Sequence, residues 1–281
     1  MNYFKIIRQD KHELFFVKYL KWVLGVHKKA SNIGVYGETG KLPLCFDGTK
    51  LSCDYFDRCK NSPNNSLVKK AFLEQKRLDL DWYHNMTELL AKNCNGPHKI
   101  DSINVFQNLR TRFITNWVKY LNESPKLEFY STVKTSFKRE EYLDNPIFKY
   151  RTALSRFRIS AHNLEIELGR YAKKDGKPPV SRAERFCRYC HEVLQIQVVE
   201  SEQYVLNDCL LYVKHRLKFM SFSKSLNTLT VTEICRQIFT DADSDLDENS
   251  KANIRFQLSK FCHNIFDHRK AFHDFLDDYI D

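Results

Sequence analysis

Glycine and proline are scarce in this chain, 8 and 7 of 281 residues. So few turn-formers argue against a fold built of many hairpins and for long helices. The chain also lacks an apolar run of about 18 residues, the length a membrane-crossing helix needs, so no membrane partner is expected. Charge interrupts residues 1–11 before any signal-type apolar segment can form. The nine cysteines therefore read as small buried hydrophobes of a reducing, intracellular setting, nuclear or cytoplasmic. In that setting the glycosylation-type triplets at Asn64, Asn85 and Asn122 carry no weight.

Catalytic signatures are missing too. Gly37-Glu-Thr-Gly40-Lys41 hints at a phosphate loop, but Val35 stands where the first glycine belongs and Leu42 where a magnesium-binding hydroxyl belongs. Asp241-x-Asp243-x-Asp245 begins like a calcium loop, then has Leu246 for the turn glycine and Ala252 for the bidentate glutamate. Asp277-Asp278 reads as the solvated face of an amphipathic helix, and no strand–turn–strand with paired acids offers a two-metal site. No catalytic residue and no small-molecule substrate are expected.

What is present is a folding composition, 42% hydrophobic and 14% aromatic, and the fold class read from it is mainly α. Helical spacing runs over 11–25, stopped by Gly25. Ser31 starts a short helix ending near Gly37–Gly40, and Pro43 opens the next element. Residues 48–66 read as polar and loop-like, 67–94 and 101–122 as helices parted by Asn95-Gly96-Pro97. A connector over 123–147 leads to a basic helix at 147–168, ended by Gly169, with Leu154, Phe157, Ala161 and Leu164 on its inner face. A small irregular or β-hairpin insert, 183–212, has the look of a zinc knuckle. Two tail helices follow, split by the acidic loop 241–248. The expected organisation is a helical connector over 1–130, a basic and cysteine-bearing part over 131–220, and a tail over 221–281.

Net charge is +10, which favours polyanionic partners, RNA or DNA. Residues 149–188 hold eleven Lys/Arg against four acids, 11 − 4 = +7. Arg156, Arg158, Arg170, Lys173, Lys174, Arg182, Arg185 and Arg188 are the candidate phosphate contacts. His162 and Tyr171 are candidates for sugar or base, since aromatic rings interleaved with arginine suit stacking beside phosphate. The bland alternative is a solvated basic face on a non-catalytic helical protein–protein module.

Cys187-x-x-Cys190 can pinch one structural zinc from a tight turn, and Cys209 sits where a third ligand belongs. The fourth position holds Tyr204, a poor ligand beside imidazole or thiolate. His191 and His215 are the alternatives.

These residues together carry a family resemblance. Arg156-Phe-Arg-Ile-Ser-Ala-His162-x-Leu-x-Ile-Glu-x-Gly-Arg-Tyr171, then Glu184-Arg-x-Cys187-x-x-Cys190, then Glu200-x-Glu202-x-Tyr204-x4-Cys209-x-x-Tyr212 resembles the region after the polymerase in non-LTR retrotransposon reverse transcriptases. Lys18-Tyr-Leu-Lys-Trp-Val-Leu-Gly-Val26, Tyr36-Gly-Glu-Thr-Gly-Lys-Leu-Pro-Leu44 and the tail from Leu258 to Arg269 are similar in the same order. The resemblance implies a CCHC-type knuckle that grips template RNA or target DNA. Two departures stand out. Tyr204 replaces the family's usual histidine, and the polymerase's paired aspartates are absent, so what is implied is a fragment or relic that binds but does not polymerise.

Overall fold

The computed structural model describes residues 11–93, 102–171, 176, 178–222, 228–240 and 246–280. It is mainly helical, 71% helix in 14 helices. None of these is long and apolar enough to cross a membrane. The chain packs as two compact units, Met1–Phe16 with Leu42–Tyr120, and Val17–Lys41 with Leu121–Asp281. This grouping differs from the consecutive segments 1–130, 131–220 and 221–281. The loop and helix after Leu24 pack with residues a hundred positions later.

Helix α1 (Lys11–Leu24) buries Val17, Leu20 and Leu24 and stops at Gly25, whose φ of 65° is left-handed. Helix α2 (Asn32–Thr39) starts after Ser31 and ends at left-handed Gly40.

In the first unit, α3 (Leu44–Lys60) begins after Pro43. The loop expected over 48–66 is confined to 61–66, because Phe46, Cys53, Phe56 and Cys59 share one buried helical face. The helix expected over 67–94 is two, α4 (Leu67–Arg77) and α5 (Asp81–Asn93), with Asp79 at φ 45° between them. The Asn95-Gly96-Pro97 break lies outside the described residues. Helix α6 (Ser102–Asn122) presents Phe113 edge-on to Phe46, with centroids 5.3 Å apart.

The second unit holds α7 (Glu128–Val133) and α8 (Phe148–Arg158). Then come the short α9 (Glu165–Leu168), α10 (Arg188–Glu192) and α11 (Glu202–Asn207). It closes with α12 (Val213–Phe222), α13 (Val231–Phe239) and α14 (Glu248–Ile280). The two tail helices appear as expected; 241–245 lies outside the described residues. Helix α14 packs along α8, joining Leu258, Phe261 and Ile265 to Leu154, Phe157, Ile234 and Ile238 in one core.

The single helix expected over 147–168 is interrupted. Ser160 takes φ 50° and the Ala161 N–H donates to the Arg156 carbonyl at 2.8 Å, the six-to-one closure of a Schellman end. Phe157, Ala161 and Leu164 all reach the interior across this reversal.

Gly40 is held tightly. A Cβ there would lie 2.3 Å from the Arg139 backbone nitrogen, at φ +60°. Gly40→Ala is expected to lower stability by about 1–3 kcal/mol, read as a lower urea midpoint with unchanged slope.

Candidate metal centre and nucleic-acid interface

The cysteine insert is a short hairpin. The Cys187 N–H donates to the Val198 carbonyl at 2.8 Å and Glu200 N–H to Arg185 carbonyl at 2.9 Å, around an antiparallel bridge between Phe186 and Val199. Gln195 supplies the turn at φ 59°. After the turn at Cys187 the chain enters α10, with the Cys190 N–H directed at the Cys187 sulfur. Cys209 arrives from beyond α11.

All three thiols are buried, and their ligand atoms lie within 4.8 Å of one another. Cys209 Sγ is 3.8 Å from Cys187 Sγ and 3.9 Å from Cys190 Sγ. Four ligands in a tetrahedron with metal–sulfur bonds of about 2.3 Å have sulfur–sulfur edges of about 3.8 Å. The spacing thus suits one tetrahedral ion and is far too long for a disulfide, about 2.05 Å. The group could hold a metal ion.

Tyr204 stands beside the cluster, its hydroxyl 3.0 Å from Cys190 Sγ. Neither His191 nor His215 joins the cluster. His191 is exposed and stacks on Phe186. His215 Nε2 bonds His268 Nδ1 at 3.0 Å. The hydrogen bond to Cys209 and burial raise the Cys187 thiol pKa. Burial raises that of Cys190, and burial together with Cys190 raises that of the Tyr204 phenol. A metal ion bound by these thiols would displace their protons.

No family model, curated protein or solved structure matches the chain.

The candidate nucleic-acid contacts fare unequally. Two belong to the interior and need correcting. Arg158 is 1% exposed. Its Nε lies 3.0 Å from Glu38 and its Nη2 3.0 Å from Glu140, with the guanidinium 3.8 Å from the Phe239 ring centre. A phosphate cannot reach it. His162 is 3% exposed and bonds Glu202 at 3.0 Å, an acceptor it shares with the Ser160 hydroxyl. Neither residue belongs to the inner face expected of Leu154, Phe157, Ala161 and Leu164; Glu38 of α2 and Phe239 of α13 form a second wall that buries Arg158.

The other described candidates stay at or near the surface, most of them tied down. Arg185 donates to the carbonyls of Ile166 and Val180 at 2.8 to 3.1 Å. Arg182 pairs with Glu128, and Arg188 with Glu192. Lys173 and Lys174 lie outside the described residues. Arg156 is exposed and donates from Nε to the Gly25 carbonyl at 2.8 Å. Arg170 pairs with Glu167 at 2.9 Å and donates to the Pro125 carbonyl.

Around Arg170 the fold gathers cations that the linear pattern missed. Lys126 pairs with Glu167 and donates to the Tyr171 hydroxyl at 3.0 Å, while that hydroxyl donates to Glu167 at 2.9 Å. Lys29 lies 4.1 Å over the Tyr171 ring. Lys21 Nζ donates to the Lys28 carbonyl at 2.9 Å. Burial, then Lys126, lowers the Lys21 pKa to about 8; burial, then Lys126, also lowers that of His27. Lys126 and Arg170 thus pair with one buried carboxylate, Glu167, while Lys29 lies against the Tyr171 ring and Lys21 is near enough to Lys126 to be repelled by it. The Lys28-Lys29 pair was a visible signal; Lys21 and Lys126 were not, because nothing in chain order brings them together.

Next to this patch lies a cleft of about 450 Å³, lined by the Gly25–His27 loop, Arg156, residues 161–163 and one side of α14 from Phe266 to Asp274.

Proposed function

We propose that this protein binds nucleic acid through its sugar-phosphate backbone, as a non-catalytic module like the part after the polymerase in non-LTR retrotransposon reverse transcriptases. Zinc in the Cys187/Cys190/Cys209 centre would staple the insert, a structural role that needs no open coordination position. The observation that carries the reading is the grouping of Lys126 and Arg170 on Glu167, with Lys29 over the adjoining Tyr171 ring and Lys21 repelled by Lys126. Like charges held this close are relieved by a polyanion, and phosphates are the polyanion that lysines and arginines bind without regard to sequence.

The test is charge reversal at Lys28 and Lys29, both exposed. The double Lys28→Glu/Lys29→Glu protein is expected to bind a single-stranded RNA or a DNA duplex roughly tenfold or more weakly, with a shallower salt slope. Fluorescence anisotropy at two salt concentrations reads both. Affinity that does not change with salt in the unmodified protein would sink the proposal.

A second reading, a helical protein–protein module, has one observation of its own. Trp22 is 74% exposed and Tyr19 52%, their rings stacked with centroids 6.1 Å apart, an exposed aromatic pair of the kind that docks a partner. Under that reading the charge reversal leaves partner binding intact.

A further inference from the structure

We propose that the cleft beside Arg156 takes one nucleotide of a bound single strand, with the base against its apolar wall and the phosphate toward its cationic rim. This rests on nucleic-acid binding as proposed above and adds a pocket that the backbone-gripping patch does not need.

The cleft's volume, about 450 Å³, falls in the range of pockets that enclose small ligands, about 300–1,000 Å³. Its two kinds of wall match the two halves of a nucleotide. Val26, Ala161 and the Phe266 ring are apolar, and an aromatic face is a sequence-tolerant platform for a base. Arg156 and Lys270 supply positive charge at the rim, against one lining acid, Asp274, four residues after Lys270 on α14. Arg156 is fixed there by its bond to the Gly25 carbonyl, which leaves the terminal guanidinium nitrogens to face an incoming anion in the forked manner that suits phosphate. Arg269 also borders the cleft, but Glu165 and Glu200 both pair with it at 2.9 Å. It therefore serves the fold and adds no free charge. Asn163, exposed at the cleft, offers a donor and an acceptor to a base edge.

Position adds to composition. His27 belongs to the cleft and its titration is set in part by Lys21, Lys29 and Lys126. A strand whose phosphates follow the lysine patch is thus led to the cleft mouth at His27. A base paired in a duplex cannot enter such a pocket without leaving its stack, at a cost of a few kcal/mol. Single strands, and strand ends, are the fitting substrate.

The experiment uses the whole protein and three probes: adenosine monophosphate, a ten-nucleotide single strand as RNA and as DNA, and a blunt DNA duplex. Asn163→Trp fills the cleft from an exposed position, and Lys270→Glu reverses its rim from another exposed position. Each variant is expected to weaken the mononucleotide and the single strands by at least about tenfold, or 1.4 kcal/mol. Duplex binding, held by the lysine patch, stays within about twofold of the unmodified protein, which is under 0.5 kcal/mol. If both variants keep their helicity by circular dichroism and lose no affinity for mononucleotide or single strand, the cleft is not a nucleotide site. Should Asn163→Trp fail to fold, Lys270→Glu decides alone. Failure of the wider reading looks different: the unmodified protein then binds none of the polymers. Mononucleotide binding abolished by both variants would still support the pocket. Equal affinity for RNA and DNA strands identifies base and phosphate as the recognised parts; an RNA preference adds the ribose hydroxyl to them.

Discussion

Arg158→Met will cost the protein about 3–5 kcal/mol of stability, because removing one partner strands a buried charge. Arg158 sits in a polar cluster with two acids and two cations. Glu38 and Glu140 hold its guanidinium, and Lys134, itself fully buried, pairs with Glu140. Tyr142 donates to Glu38 and shares a hydrogen bond of 2.9 Å with Ser155. Burial by itself would lower the Arg158 pKa, yet Glu140 and Glu38 hold it above the ordinary arginine value. Burial lowers the Lys134 pKa in spite of the same two acids. The cluster is neutral only while both cations are present. Methionine restores much of the volume and none of the charge, so one carboxylate is left without a counter-ion in a place water does not reach. Urea unfolding followed by circular dichroism measures the loss. Pairing the change with Glu38→Gln should recover a part of it, a coupling expected only of groups in one network. A loss under about 1 kcal/mol would mean that the cluster is hydrated and the burial overstated.

Zinc is the second large effect. One equivalent per chain is expected by elemental analysis, none in Cys187→Ser, and a stabilisation of about 2.7 kcal/mol when free zinc stands at a hundred times its dissociation constant. The geometric reason is the near-tetrahedral sulfur spacing of 3.8 and 3.9 Å. Tyr204→His tests the fourth corner. The phenol oxygen already lies 3.0 Å from Cys190 Sγ, so an imidazole on the same backbone position starts near the ion. It should raise affinity at least about tenfold, because a neutral nitrogen is a far better ligand than a protonated phenol. Absence of zinc from the unmodified protein, with no gain in Tyr204→His, would show a cysteine cluster held by packing alone.

Much of the fold was legible. Gly25, Ser31, Gly40 and Pro43 mark element ends in the sequence and in the structure, because caps and stops are local chemistry. The cysteine triad was legible for the same reason: ligand spacing within a short insert is nearly a local property. What escaped was every feature that needs two distant segments. Arg158 looked like a surface cation until Glu38, 120 residues earlier, closed over it. His162 looked like a base contact until Glu202 took it. Lys126 looked like nothing until it met Tyr171. Several residues that carry the family resemblance turn out to hold one another: Arg158 with Glu38, His162 with Glu202, Arg269 with Glu200. A motif made of such pairs reports the architecture first. Under the proposed nucleic-acid reading, the binding surface is sought among cations outside these pairs.

The pairing of Glu200 with Arg269 and the packing of α14 along α8 also bear on how the chain is made. Contacts within α3, α4 and α5 link neighbours in sequence, and such local structure can form as soon as those residues leave the ribosome. The core around Phe157 cannot. It is completed only by Leu258, Phe261 and Ile265, so until they are synthesised part of the apolar face of α8 stays uncovered. The second unit is therefore expected to expose apolar surface for longer during translation than the helices of the first unit, whose contacts are local.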